Sequence, residues 1–178
     1  MTKIDIQGVV KNLINTFIEA GKISIELRNI GLTKKIKPDN TPVSNGDLEV
    51  NKIITKKIKE LTPDIPIISE ETSDNKSNFE LNDFWLVDPI DGTYDYINNL
   101  DEFTINAGLI INKKPIAGLI YAPAKNRMFY SYGKNLAFEL KDGKEKKLGS
   151  SKNFNKDLIK FVHYSDKIKP EILEVHKR

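Results

Sequence analysis

The stretch FWLVDPIDGTYDY, residues 84–96, joins an apolar run to two aspartates and a Gly-Thr pair. The run Phe84–Asp88 predicts a buried strand with Asp88 at its end. Because proline lacks the amide hydrogen that a sheet ladder needs, we expect the strand to stop at Pro89 and the turn to bring Asp91 back beside Asp88. Backbone amides after Gly92 would then open a short helix, and such amides favour an anion.

A second apolar run ends in acids just upstream, at Ile67–Glu71. If the two runs form neighbouring strands, Glu70 joins Asp88 and Asp91. Clustered carboxylates repel one another unless protons or cations neutralise them, and an oxygen-only donor set suits Mg²⁺ rather than zinc. Metal ligands beside an anion cradle indicate phosphate chemistry, in which the Thr93 hydroxyl could position a water molecule.

Each of these patterns also has a plainer interpretation. Asp-Gly after an apolar run is most often a turn, and a Glu pair is most often a solvated surface pair. A structural calcium site is a third alternative, although the spacing of an EF-hand loop is absent. His163 and His176 have no partner at motif spacing, and Trp85 is interpreted as a core residue.

The flanking sequence predicts an α+β fold with two N-terminal helices packed on a largely antiparallel sheet. Apolar residues at three-and-four spacing predict one helix from Ile4 to about Arg28, and a second carries Leu48, Ile54, Ile58 and Leu61 on one side and ends before Pro63. The stretch Lys34–Gly46 between them is interpreted as a linker, and Thr72–Asn82 as a loop. Asn112-Lys113-Lys114 and Asp142-Gly143 predict hairpin turns. The predicted strands are Ile65–Ser69, Phe84–Asp88, Ile105–Ile111, Ile116–Tyr121, Met128–Tyr132 and Ala137–Leu140, followed by an apolar run at Leu158–Tyr164 and a short helix from Pro170.

Composition narrows the class of protein. The 178 residues are 39% hydrophobic and 30% charged, with a net charge of +3 and no cysteine. The lack of cysteine excludes disulfides and thiolate metal sites. The small net charge does not indicate binding to a nucleic-acid polymer. No apolar run is long enough for a transmembrane segment, and the N-terminus lacks the features of a secretory signal, so we expect a cytoplasmic protein.

Three segments together resemble the inositol monophosphatase-like family of Mg²⁺-dependent, lithium-sensitive phosphatases. They are Ile68-Ser69-Glu70-Glu71, the hexapeptide Asp88–Thr93, and the segment from Lys37 to Asp47, in the family's order and spacing. The resemblance implies a small phosphorylated substrate and two or more Mg²⁺ ions. It implies these roles: metal ligation by Glu70, Asp88, Asp91 and the Ile90 carbonyl, catalytic orientation of water by Asp47 and Thr93, and phosphate binding by the amides of Gly92 and Thr93.

Further segments resemble the CysQ-type 3'(2'),5'-bisphosphate nucleotidase branch of this family. They are Thr41-Pro42-Val43, residues 101–106 (DEFTIN) and residues 118–123 (GLIYAP). This resemblance implies hydrolysis of adenosine 3',5'-bisphosphate to the 5'-monophosphate. Tyr94-Asp95-Tyr96 departs from the branch, which usually has a basic residue, an acid and Phe there, so an inositol monophosphatase-type sugar phosphatase is the alternative.

Family members continue for roughly another half-domain, with a further metal-ligating Asp. We therefore interpret residues 1–150 as the metal-binding N-terminal domain, half of the αβαβα sandwich of sugar phosphatases, and 151–178 as the start of a truncated second α/β domain. A second alternative function follows, namely an inactive fragment that binds only metal or a partner. An open sheet would also favour a homodimer through its exposed edge.

Overall fold

The computed structural model describes residues 4–38, 40–72 and 81–149. It confirms the α+β fold. The elements are α1 (Ile6–Ile30), β1 (Lys34–Ile36), β2 (Pro42–Ser44), α2 (Asn45–Leu61), β3 (Ile67–Ser69), β4 (Phe84–Asp91), α3 (Thr93–Ile97), β5 (Thr104–Ile111), β6 (Lys114–Ala122), a 3₁₀ turn (Pro123–Lys125), β7 (Arg127–Ser131), β8 (Ala137–Lys141) and β9 (Lys144–Leu148).

Seven strands form one sheet in the order β3-β4-β5-β6-β7-β8-β9. Every neighbouring pair is antiparallel except β3 and β4, which run parallel. Both predicted hairpin turns are present, and Asn112, Lys113, Asp142 and Gly143 all have positive φ, as a tight two-residue hairpin requires. The sheet is therefore a meander with one parallel strand added at the β3 edge.

The helices cover one face of this sheet. Alternate residues of β4 to β8 point toward α1 and α2, and burying their apolar surface supplies the main stabilising free energy. Trp85 is fully buried as predicted, and its indole nitrogen donates to the Thr62 hydroxyl at 3.0 Å. Other members of this core are Leu13, Phe17, Val50, Ile54, Ile58, Ile105, Leu109, Leu119 and Met128.

The opposite face of the sheet is open as far as the described residues show. Leu86 and Ile120 are exposed there, and Phe129 is half-buried. A trough of about 530 Å³ crosses this face, floored in part by Gly108 and Gly118, and its lining includes Asp88. We refer to the surface formed by Leu86, Gly108, Gly118, Ile120 and Phe129 as the open face.

A charged contact ties the first helix to the last strand. The ammonium group of Lys11 lies 3.0 Å from the Tyr130 hydroxyl and 2.5 Å from the Glu145 carboxylate. The same ammonium lies 5.1 Å from the centre of the Tyr130 ring. This contact joins α1 to β7 and β9 across most of the described chain.

The structure corrects three sequence predictions. Strand β4 does not stop at Pro89: the ladder pairs Asp88 with Asn106, shifts register, and resumes with Asp91 opposite Thr104, so the missing proline amide falls within the irregularity. Leu48 is 48% exposed rather than buried. The linker contains a two-stranded sheet, β1 with β2. In addition, residues 144–148 form strand β9, which was not predicted from the sequence.

Several predictions lie outside the described residues. They are the strand at 158–164, the helix from Pro170, the placement of His163 and His176, and all but the ends of the loop at 72–82. Within the described ranges, no helix combines the length and apolar character needed to cross a membrane.

Candidate metal and phosphate site

Parallel pairing of β3 with β4 brings the acidic ends of both strands together. Ser69 pairs with Val87, and the Glu70 amide donates to the Val87 carbonyl at 3.1 Å. Glu70 therefore lies next to the strand position of Asp88. The predicted adjacency of the two apolar runs is confirmed.

Asp88 is the most perturbed carboxyl group of the site. Burial, followed by the nearby charges of Glu70 and Asp91, raises the pKa of Asp88 to about 7. Its Oδ1 atom is buried and has no hydrogen-bond partner among the described residues. A buried acceptor among like charges, without a donor, is an environment that a cation would stabilise.

The side chains of Asp91 and Asn106 form a hydrogen bond between β4 and β5, although the ladder itself pairs Asn106 with Asp88. The Asn106 side-chain nitrogen donates to Asp91 Oδ2 at 3.1 Å. The Oδ1 atom of Asn106, like that of Asp88, is buried and has no partner in the described part of the chain. Sequence reasoning missed Asn106, although a polar amide inside the apolar strand Ile105–Ile111 could have drawn attention to it.

Asp47 and Thr93 lie in contact. Asp47 lies buried in the first turn of α2, where its Oδ2 accepts from the Ser44 amide at 2.8 Å and the Ser44 hydroxyl at 2.5 Å. The Thr93 hydroxyl lies 3.1 Å from Asp47 Oδ1 and 3.0 Å from the Ile90 carbonyl oxygen. Its single hydrogen can serve only one of these acceptors at a time.

Burial raises the pKa of the Asp47 carboxyl, and hydrogen bonds from Ser44 and Thr93 act in the opposite direction. Ser44 and Asp47 also form a reciprocal capping box that starts α2. The Ser-x-x-Asp spacing is a recognisable helix-start signal and could have been found in the sequence. The cap fixes the Asp47 carboxylate, because the same side chain caps the start of α2 and contacts Thr93.

Gly92 makes the turn that presents Thr93. It has φ of 92°, and a Cβ at this position would lie 2.7 Å from the Glu102 carbonyl oxygen. Only glycine fits there without strain. The short helix α3 begins at the next residue and is anchored by Tyr96, whose buried hydroxyl donates to the Ser24 carbonyl at 2.7 Å.

Lys37 contacts the acidic cluster from the β1–β2 hairpin. Its ammonium group lies 3.0 Å from Glu70 Oε1 and 2.7 Å from Glu71 Oε1. The sequence singled out Lys37 within a motif but did not predict this contact, since nothing in the sequence showed that the linker folds as a hairpin.

The donor types fit Mg²⁺, because every candidate ligand is an oxygen and Asp88 Oδ1 lacks a donor. As the side chains stand, no three His, Cys, Asp or Glu residues among those described are grouped so that they could hold a metal ion. Glu70 is turned toward Lys37. Joint ligation by Glu70, Asp88 and Asp91 therefore stays a prediction.

Known proteins share both the sequence and the fold. A 3'(2'),5'-bisphosphate nucleotidase CysQ of Buchnera aphidicola is 43% identical over 123 residues, which cover 67% of this chain and 43% of the relative. The crystal structure of CysQ from Bacteroides thetaiotaomicron superposes with a TM-score of 0.54 at 26% identity, covering 72% of this chain and 47% of the other.

A third similar protein has low sequence identity and supports only the assignment of the fold. An IMPase/NADP phosphatase crystallised with Mg²⁺ and phosphate superposes with a TM-score of 0.66 at 20% identity, covering 75% of this chain and 51% of that one. The chain thus spans about half the length of the relatives it matches. The sequence profile of the inositol monophosphatase family matches residues 5–169, and the chain therefore belongs to that family.

Proposed function

We propose that this protein is a Mg²⁺-dependent phosphomonoesterase that hydrolyses 3'(2'),5'-bisphosphate nucleotides such as adenosine 3',5'-bisphosphate to the 5'-monophosphate. The observation that carries the proposal is the contact of the Thr93 hydroxyl with Asp47 and the Ile90 carbonyl. A second observation supports it, since the buried Asp88 Oδ1 has no hydrogen-bond partner among the described residues. Relatives named CysQ nucleotidases support the substrate class.

Each residue of the site has its own proposed role in hydrolysis. A Thr93 hydroxyl that donates to Asp47 keeps its lone pairs free to accept a hydrogen bond from water, which orients the water oxygen toward phosphorus. The amides of Gly92 and Thr93 would hold the phosphate. Water then adds to phosphorus as the ester P–O bond breaks, giving inorganic phosphate and an alcohol.

Glu70, Asp88, Asp91 and the Ile90 carbonyl would hold Mg²⁺. When bound, the ion supplies polarisation of the phosphoryl oxygen and neutralises charge on the reacting oxygens. The carboxylates of Glu70, Asp88 and Asp91 repel one another and supply the negative potential that favours such an ion.

An inositol monophosphatase-type sugar phosphatase is the second candidate, because Tyr94 stands where the nucleotidase branch usually has a basic residue. Tyr94 is exposed beside Thr93, so it is placed to contact a substrate rather than the core. An inactive chain that binds only metal or a partner is the third candidate, since no three His, Cys, Asp or Glu residues among those described are grouped as metal ligands.

The deciding experiment measures phosphate release from adenosine 3',5'-bisphosphate and from inositol monophosphate, with and without Mg²⁺ and with added lithium. Mg²⁺-dependent, lithium-sensitive release from the nucleotide supports the proposal, and preferential release from inositol monophosphate supports the second candidate. No release from either substrate by a folded chain, judged by circular dichroism, supports the third.

Asp91→Asn tests the assigned residues. We expect this variant to lose Mg²⁺-dependent turnover and keep its fold, because the amide removes a negative oxygen donor without changing the side-chain volume. Asp64→Asn, at an exposed position, is the matched control and should retain turnover. Parental activity in Asp91→Asn, with unchanged metal dependence, would show that the site is assigned wrongly.

A further inference from the structure

Lys37 contacts two carboxylates of unequal burial. Glu71 has a side chain only 4% exposed, whereas the side chain of Glu70 is 47% exposed. The ammonium group joins them at 2.7 Å and 3.0 Å respectively. The buried contact is the shorter one, so Lys37 has an inner and an outer partner.

These partners differ in how easily they can be released. A carboxylate as buried as Glu71 is costly without a counter-ion, so its contact with Lys37 is hard to give up. Glu70 is close to solvent and loses little when it exchanges one cation for another. Glu70 is also a proposed ligand of Mg²⁺, and Lys37 already holds it.

The backbone of Lys37 is held independently of its side chain. Its amide donates to the Thr41 carbonyl at 2.8 Å, and its own carbonyl accepts from the Asn40 amide at 2.9 Å. The hairpin turn thus positions the ammonium group over the acids. A substitution of the side chain can change the charge without removing the turn.

We propose that Lys37 is an internal counter-ion that competes with Mg²⁺ for Glu70. When the ion enters, Glu70 passes from the ammonium group to the metal, and Lys37 remains paired with Glu71. Lys37 is thus a positioning residue that sets the concentration of Mg²⁺ at which the site fills. The inference rests on the proposed function, because it takes Glu70 to be a metal ligand.

The test is a calorimetric titration of Mg²⁺ into the full chain and its variants. For Lys37→Gln we expect the dissociation constant to fall about fivefold, the ratio that corresponds to about 1 kcal/mol. Lys37→Arg keeps the competing charge and should bind Mg²⁺ like the parent. Lys35→Gln, the matched control, removes the same charge from an exposed strand residue two positions away and should also bind like the parent.

Glu71→Gln tests the same idea in the opposite direction. This variant leaves Glu70 as the sole carboxylate contact shown for Lys37 among the described residues, so we expect Mg²⁺ to bind several-fold more weakly. A second measurement compares melting temperatures in chelator and in saturating Mg²⁺. Lys37→Gln should lose melting temperature in chelator and recover part of it with Mg²⁺, because ligand binding stabilises the folded state.

Equal or weaker Mg²⁺ binding by Lys37→Gln than by Lys35→Gln would overturn the inference. Tighter binding by Lys37→Gln without phosphate release from any substrate would support the inference while the proposed function fails. If the parent, Lys35→Gln and Lys37→Gln all bind no Mg²⁺, both the inference and the proposed metal dependence are wrong.

Discussion

Thr93 links the buried carboxylate of Asp47 to the proposed reaction. Thr93→Ala removes the hydroxyl that lies 3.1 Å from Asp47 Oδ1. We therefore expect kcat for phosphate release to fall about 100-fold, which is the lower end of the range for loss of a general acid–base group. KM should change little, because the backbone amides remain. Thr93→Ser keeps the hydroxyl and should keep most of the activity. Steady-state kinetics with both variants checks this, and a large rise in KM alone would contradict it.

The raised pKa of Asp88 predicts how the free energy of unfolding of the metal-free protein depends on pH. Its folded pKa of about 7 lies above its value of 3.8 when unperturbed, so the folded state holds a proton more strongly than the unfolded state. The free energy of unfolding should therefore be highest at about pH 4 and decrease toward pH 7, by at most about 1.4 kcal/mol per pH unit.

Urea denaturation in chelator across this pH range measures the effect. Asp88→Asn, which cannot ionise, should flatten the slope, while Asp64→Asn should preserve it because that side chain is exposed. An equal slope in the parent and in Asp88→Asn would assign the pH dependence to other groups.

At the scale of elements, the turn between β4 and α3 is the most constrained connection of the site. Gly92→Ala combines positive φ with a collision against the Glu102 carbonyl, whereas Gly143→Ala at the β8–β9 turn has positive φ and open space. We expect Gly143→Ala to lower the free energy of unfolding by about 1 kcal/mol and Gly92→Ala by at least about 2 kcal/mol. Urea denaturation compares the two, and equal losses would show that the turn relaxes away from the collision.

The long elements were predictable because their periodicity is strong. Each of these elements buries one regular side, and the spacing of its apolar residues in the sequence reflects that burial. This holds for the helices α1 and α2 and for the strands β4 to β8. The strands β1 and β9 were not predictable in this way. The first has three residues, all exposed, and the second exposes four of its five, so neither carries an apolar pattern.

The acidic residues of the candidate site could be selected from the sequence, whereas the residues that contact them could not. Asp88 and Asp91 come at the end of an apolar run, and Asp47 and Thr93 lie in recognisable motifs. The contact of Lys37 with Glu71 depends on how a polar hairpin folds back on β3, and that depends on tertiary packing rather than local sequence. Pro89 misled the strand assignment because the register shift absorbs the missing hydrogen bond.

At the scale of the whole molecule, the open face predicts self-association through apolar contact. Ile120 is 49% exposed on this face, next to a trough of about 530 Å³. We expect the chain to bind a hydrophobic dye and to elute earlier in size-exclusion chromatography as its concentration rises. Ile120→Glu should weaken both effects. The matched control, Ile30→Glu, changes an isoleucine that is 84% exposed at the end of α1 and should leave both unchanged.

A clean monomer without dye binding at all concentrations would contradict this prediction. The edges of the sheet are less suited to pairing than its face. The β9 edge carries Lys144, Glu145, Lys146 and Lys147, and β3 at the other edge has only three residues. The edge-to-edge homodimer expected from the sequence therefore stays a prediction that these features oppose.

The contact between Lys11 and Glu145 has a consequence for the order of folding. Its two residues are 134 positions apart, so the ring of chain that it closes spans nearly the whole described protein. Contacts of such separation carry a large loop-closure entropy and form late. During synthesis, the first helix must wait for β9 to leave the ribosome before Lys11 meets its acid. We therefore expect nascent chains that stop before residue 145 to lack this contact while α1 already packs on α2 and β6.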